Sequence, residues 1–235
     1  MIKRIVSQIP NTITLLNLLS GLVAIILSFN LKSHTPGLVP LHWAFIAIAC
    51  AAVFDFCDGL SARLLKAYSD VGKELDSLSD LVSFGVAPGL LLMNTLLIET
   101  GGHYISYLAL IIPLFGAYRL AKFNVDTTQS TIFRGLPIPA NAIFWIGFID
   151  FTISHGYCPA VPFLAIIIIF ISCLMVSRMP MFSLKVKTLA WRDNVSRYAL
   201  ILGAVLFVIF NGISGLMWTI VLYIVLSAAT RRYIS

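Results

Sequence analysis

Residues 55–80, DFCDGLSARLLKAYSDVGKELDSLSD, carry four aspartates in two pairs, Asp55 with Asp58 and Asp76 with Asp80. Spacings of three and four residues each put two side chains on one face of a helix. Gly59, Ala62, Arg63 and Gly72 lie between the pairs. Long apolar stretches flank the segment on both sides, so the carboxylates belong to the ends of membrane helices. Ionisable groups in such a place are costly and mark a functional site by default.

The composition agrees. Of 235 residues, 59% are hydrophobic and 11% charged, and the mean hydropathy is +0.96. Soluble domains carry about a quarter charged residues, so the sequence predicts an all-α integral membrane protein. The net charge of +6 follows the positive-inside bias and does not imply nucleic acid. Cys50, Cys57, Cys158 and Cys173 form no C-x-x-C pair and read as small buried hydrophobes. None of the histidines, at 34, 42, 103 and 155, is close to the aspartates in sequence.

In chain order, apolar runs predict eight membrane helices at about 12–30, 41–58 and beyond, 76–98, 104–121, 138–154, 160–177, 196–211 and 214–230. On the first, Asn11, Thr14, Asn17 and Gly21 share one face. They either pack that helix on its neighbours or line a polar ligand site at its end. A linker around Ser69–Gly72 is expected to reverse the chain, so that the third helix begins with Asp76 and Asp80. About 20 residues cross the hydrocarbon, which puts both aspartate pairs on one membrane side. Residues 178–195 read as a basic segment lying in the interface plane, and Asn211–Gly212 as a tight turn. This arrangement gathers 15 of the 16 Lys and Arg residues on one side. The positive-inside rule makes that side, with both termini, cytoplasmic. The expectation is a single membrane-embedded domain over 1–235, with a core at about 10–178 and a C-terminal helix pair at about 196–230.

Four carboxylates at a protein–lipid boundary need cations to stay ionised. Oxygen ligands alone suit Mg²⁺ or Mn²⁺, and the absence of Cys and His from the cluster argues against zinc. Four aspartates suffice for two ions, the arrangement of phosphoryl chemistry. The alternatives are an ion pathway, as in a cation transporter, or aspartates paired with Arg63, Lys66 and Lys73. Gly59 and Ala62 leave a helix face nearly bare, either for close helix packing or for a ligand to approach the backbone. Arg63 either pairs with a phosphate or anchors the helix end.

The pattern D-x2-D-G-x2-A-R-x8-G-x3-D-x3-D is complete here and resembles the signature of the CDP-alcohol phosphotransferases, membrane enzymes of phospholipid synthesis. The resemblance implies a six-helix core with two added C-terminal helices, and a homodimer formed through membrane helices. It implies a CDP-diacylglycerol donor and two divalent cations held by Asp55, Asp58, Asp76 and Asp80. The donor's CDP portion would be bound by Asp58, Gly59, Ala62, Arg63 and Gly72. Asp80 would be the general base. The lack of a histidine on that side is consistent with a carboxylate in this role.

PNTITLLNLLSG, ELDSLSDLVSFGVAP, RLAKFN with FRGLPIPA, and SRMPMFSLK further resemble the bacterial and archaeal phosphatidylserine synthase branch. This implies L-serine as acceptor, with glycerol 3-phosphate or an inositol phosphate as the other acceptors weighed. Arg119, Arg134 and Arg178 are candidates for the serine carboxylate; otherwise they serve topology alone. Lys122 departs from the branch, where arginine is the commoner residue. It keeps the charge but loses the bidentate fork. The cytoplasmic membrane is the expected location.

Overall fold

The computed structural model describes residues 8–31, 40–125, 133–182 and 191–230. Lys3, Arg4, Lys32, His34, Arg231, Arg232 and 183–190 of the basic segment lie outside the described residues. The chain forms two compact units, 1–121 and 122–235.

In the first unit, α1 (Ile9–Ser28) precedes α2 (Pro40–Leu64). Next comes α3 (Asp70–Asp80), which runs without a break through a widened π-helical turn, Leu81–Val86, into α4 (Ala87–Glu99). A 3₁₀ segment, Tyr104–Leu110, leads into α5 (Ile111–Val125). Proline stands in the first turn of α1, where its missing N–H costs nothing. Helix α1 packs along α2 and also against α3, the π-helical turn and α4, whereas α2 and α3 barely touch each other. The two aspartate-bearing arms are therefore splayed over α1, and a cleft opens between them.

The second unit holds α6 (Ile138–His155), α7 (Val161–Val176), α8 (Trp191–Asn211) and α9 (Gly215–Ala229). Two short strands, β1 (Phe133–Arg134) and β2 (Pro180–Met181), pair antiparallel with Arg134 opposite Pro180. They are the only strands among the described residues. Gly212, at φ +59°, turns α8 back on α9, as the Asn211–Gly212 pair predicts. A buried carboxylate, Asp150, accepts a 2.6 Å hydrogen bond from Ser214 Oγ. That bond ties the turn to α6 inside an apolar setting, where an unpaired carboxylate would be expensive.

Helices occupy all eight predicted places. Among the described residues, five helical stretches are long and apolar enough to cross a membrane: Ile9–Ser28, Pro40–Leu64, Asp70–Glu99, Tyr104–Val125 and Asn194–Ala229, the last including the Gly212 turn. Two expectations need correction. The third helix starts at Asp70, not near Asp76, and the reversal lies at 65–69, which puts Gly72 inside the helix. The first turn of α3 is polar, so an apolar run does not reveal it; Ser69 caps it by accepting from Gly72 N–H at 3.0 Å. The cysteines are all free thiols, but none is buried: Cys50 and Cys173 are exposed, and Cys57 and Cys158 are half-buried.

Candidate active site

Two local devices make the reversal that brings the aspartates together. Helix α2 closes with Ala67 N–H on Ala62 O at 3.0 Å and Lys66 N–H on Arg63 O at 3.3 Å. This is the paired end-of-helix pattern usually served by glycine. Here Lys66 takes the left-handed conformation, φ +51°. Asp70 then opens α3 at the positive end of its dipole. The reversal lets Asp55 and Asp58 on α2 meet Asp76 and Asp80 on α3.

The structure brings three of the four aspartates into one cluster. One carboxylate oxygen from each of Asp55, Asp76 and Asp80 lies within 4.8 Å of the others. Asp58 lies alongside, only 5% exposed, with the Thr14 side chain next to its carboxylate. Asp58 Oδ2 and Asp76 Oδ1 are buried and accept no hydrogen bond. Carboxylate oxygens packed so closely repel one another strongly at protein dielectric. A hard divalent cation with an all-oxygen shell relieves that repulsion and supplies the missing partners. The donor set therefore fits the expected group, with Asp55, Asp76 and Asp80 at its centre.

Beside the cluster lies a cleft of about 270 Å³ lined by Asp58 and Asp76, by Gly59, Ala62 and Arg63 from α2, by Gly72, and by Asn11 and Thr14 from α1. All five residues expected to hold the nucleotide are on its walls. The two glycines differ in kind. A Cβ built on Gly59 would meet only Arg63 Nη2, at 3.6 Å, whereas one on Gly72 would meet Asn11 Oδ1 at 2.9 Å and Ser69 Oγ at 3.0 Å. Gly72 thus lets α1 approach α3, while Gly59 keeps a surface open to the cleft. Arg63 Nε donates to Gly59 O at 2.9 Å, which lays the guanidinium along the helix.

Residues of the cleft that the sequence reading did not single out include Ala67 and Tyr68. They lie within the 65–69 reversal, next to the motif. Lys73, named above as a partner for the aspartates, also lines the cleft. The α1 face divides along its length: Asn11 and Thr14 line the cleft, Asn17 reaches Asp80, and Gly21 packs on Ser83. Arg119 is half-buried on α5; Arg134 and Arg178 are exposed at the β1–β2 ribbon of the second unit.

Apolar helices carrying an all-oxygen carboxylate cluster next to a polar cleft define a multi-pass membrane protein equipped to hold a charged ligand at its helix ends. The family model described as CDP-alcohol phosphatidyltransferase matches residues 7–226, and the chain belongs to that family. It is 37% identical over 182 residues to the CDP-diacylglycerol–serine O-phosphatidyltransferase of Mycobacterium leprae, covering 74% of this chain and 57% of that one. It is 40% identical over 154 residues to the enzyme of the same description from Methanocaldococcus jannaschii, covering 66% of each. A third, from Bacillus subtilis, is 40% identical over 134 residues, 57% of this chain and 70% of its own. The matches thus span less than two thirds of the length of the first two relatives.

Proposed function

We propose that the chain transfers the phosphatidyl group of CDP-diacylglycerol to the hydroxyl of L-serine, giving phosphatidylserine and CMP. The observation that carries this reading is the meeting of Asp55, Asp76 and Asp80 at a cleft walled by Gly59, Ala62 and Arg63. Family membership and the names of the relatives support the donor and the acceptor. They lend no support to cation transport.

Asp55, Asp76 and Asp80, with Asp58 beside them, would hold Mg²⁺ or Mn²⁺. When bound, the cations neutralise the donor's diphosphate and stabilise charge developing on its oxygens. Gly59 and Ala62 give the nucleotide a wall without side chains. Arg63 spends Nε on its own helix and keeps its terminal N–H groups for a phosphate oxygen. The serine hydroxyl attacks the lipid-side phosphorus. Its O–P bond forms as the bond to the CMP oxygen breaks, and Asp80 takes the hydroxyl proton. Arg119, Arg134 and Arg178 are the proposed partners of the serine carboxylate. We place the site on the cytoplasmic side of the cell membrane, in an eight-span chain that forms a homodimer.

The test is CMP release by the purified full chain with CDP-diacylglycerol and, in separate reactions, L-serine, glycerol 3-phosphate and an inositol phosphate. Release with serine alone is expected. Release only with a phosphorylated acceptor would reassign the substrate, and none with any acceptor would refute the transfer.

A further inference from the structure

Asn17 sits in the middle of α1 and is fully buried. Its Nδ2 donates to Asp80 Oδ1 at 3.2 Å, across 63 residues of sequence. An ionised carboxylate only accepts, so the amide nitrogen must be the atom that faces it. The other half of the amide, Asn17 Oδ1, is buried with no hydrogen-bond partner. A buried, unsatisfied carbonyl costs stability. Leucine, with the same branched side-chain skeleton, would avoid that cost at a site that served packing alone. Among the described residues, the one favourable polar contact of the Asn17 side chain is the bond to Asp80.

The backbone of the same residue holds the next part of α3. Ser83 Oγ donates to Asn17 O at 3.0 Å, and Ser83 is fully buried. Between these two contacts the helix widens: Leu81–Val86 is π-helical, and Ala87 N–H reaches Val82 O, five residues back. Such widened turns have poorer local energetics than the α-helix and are concentrated at functional sites. Gly21, one turn beyond Asn17 on the same face, has no Cβ to hold α1 away from Ser83. Residues 17 and 21 of α1 therefore fix the position of the α3 turn on which Asp80 stands.

We propose that Asn17 is a positioning residue for Asp80: its amide fixes one carboxylate oxygen so that the other is presented to the acceptor hydroxyl. This rests on the reading of Asp80 as the base. Misplacement of a reacting group by about 1 Å can cost roughly 10²-fold in rate, so a single bond of this kind has a measurable consequence.

The experiment uses the full chain in detergent with CDP-diacylglycerol, L-serine and Mg²⁺, and compares Asn17→Leu, Asn17→Ala, Asp80→Asn and Asn17→Leu with Asp80→Asn. Turnover, donor KM and thermal midpoint are read for each. Asn17→Leu is expected to lower kcat roughly 10- to 100-fold while donor KM stays within about threefold. Asn17→Ala should show the same kcat loss with a lower midpoint, and it distinguishes lost bonding from any misfit of leucine. In the Asp80→Asn background the Asn17 change should cost less than about threefold more, because residues acting through one another do not add. Near-normal kcat in Asn17→Leu, or an equal loss in both backgrounds, would overturn the proposal. Near-normal kcat in Asp80→Asn alone would instead remove the base reading on which it stands.

Discussion

Gly21 on α1 and Ser83 in the widened turn after Asp80 are in direct backbone-level contact: a Cβ built on Gly21 would lie 2.8 Å from Ser83 Cα. A methyl group there has nowhere to go, because the obstacle is main chain and not the tip of a side chain. Gly21→Ala should therefore push α1 away from the turn. We expect a loss of about 1–3 kcal/mol, the usual cost of overpacking a filled interface, read as a lower thermal midpoint in detergent. Activity should fall as well, since Asn17 moves with Gly21. Adding Ser83→Ala removes the clash with the hydroxyl but not with Cα, so it should restore only part of the stability.

That contact shows where the sequence was legible and where it was not. The face shared by Asp55 and Asp58, and that shared by Asp76 and Asp80, follow from local spacing, which is fixed once a helix forms. The polar face of α1 was legible for the same reason. Its division into cleft lining, a bond to Asp80 and packing was not, because the partners of Asn17 and Gly21 lie more than 60 residues away. The widened turn at Leu81–Val86 has only Pro88 as a local signal; the bond from its serine to the carbonyl of Asn17 is long-range. The start of α3 was misplaced because hydropathy is blind to a polar first turn. Ser69 followed by Asp70 was the capping signal that marks it.

Gly59 gives a prediction of opposite sign to that for Gly21. It lies within α2, and a Cβ added there would meet only the end of a flexible arginine, at 3.6 Å. Replacing a helix-interior glycine by alanine normally stabilises by about 0.5–1 kcal/mol. The added methyl would intrude on the cleft wall. Gly59→Ala should therefore raise the thermal midpoint while weakening the donor by about 1–2 kcal/mol, roughly 5- to 30-fold in KM. An unchanged donor KM would mean that the nucleotide does not lie on this face.

The crowding of Asp55, Asp76 and Asp80 predicts a dependence of stability as well as activity on divalent cations. Thorough chelation should abolish CMP release and lower the thermal midpoint, and Mg²⁺ or Mn²⁺ should restore both. Asp76→Asn removes one charge from the cluster. The apo protein should then melt higher than the apo wild type, because repulsion is relieved, while the rise on adding cation shrinks. Full activity after chelation would exclude the cation site.

The proposed topology is checked by labelling. In a cysteine-free background, a cysteine at Ser154, near the end of α6, should react with an impermeant thiol reagent in intact cells. One at Ser69, which is exposed in the reversal between α2 and α3, should react only after the membrane is opened. Labelling of position 69 from outside would invert the arrangement and move the aspartates to the outer face.

Asp80 carries the most direct test of the chemistry. Asp80→Asn keeps the size of the side chain and one oxygen that can accept, but it removes the base. Asp55, Asp58, Asp76, Gly59 and Arg63 remain to hold the donor. Transfer should fall by about 10²–10⁴-fold, the usual range for loss of general-base catalysis. The loss should appear in kcat with little change in donor KM, because the missing interaction acts in the transition state. If Asp80 instead serves mainly to hold cation, half-maximal activity will need more Mg²⁺ and donor KM will rise with it, a pattern the kinetics separates from loss of the base. Direct attack by serine also predicts that the wild-type chain, without serine, does not exchange labelled CMP into CDP-diacylglycerol. Exchange would indicate a covalent phosphatidyl intermediate, with a nucleophile on the chain in place of a base acting on the acceptor. Near-normal turnover of Asp80→Asn with cation bound would rule out the assigned base, and the proton would then have to pass to another of the clustered carboxylates.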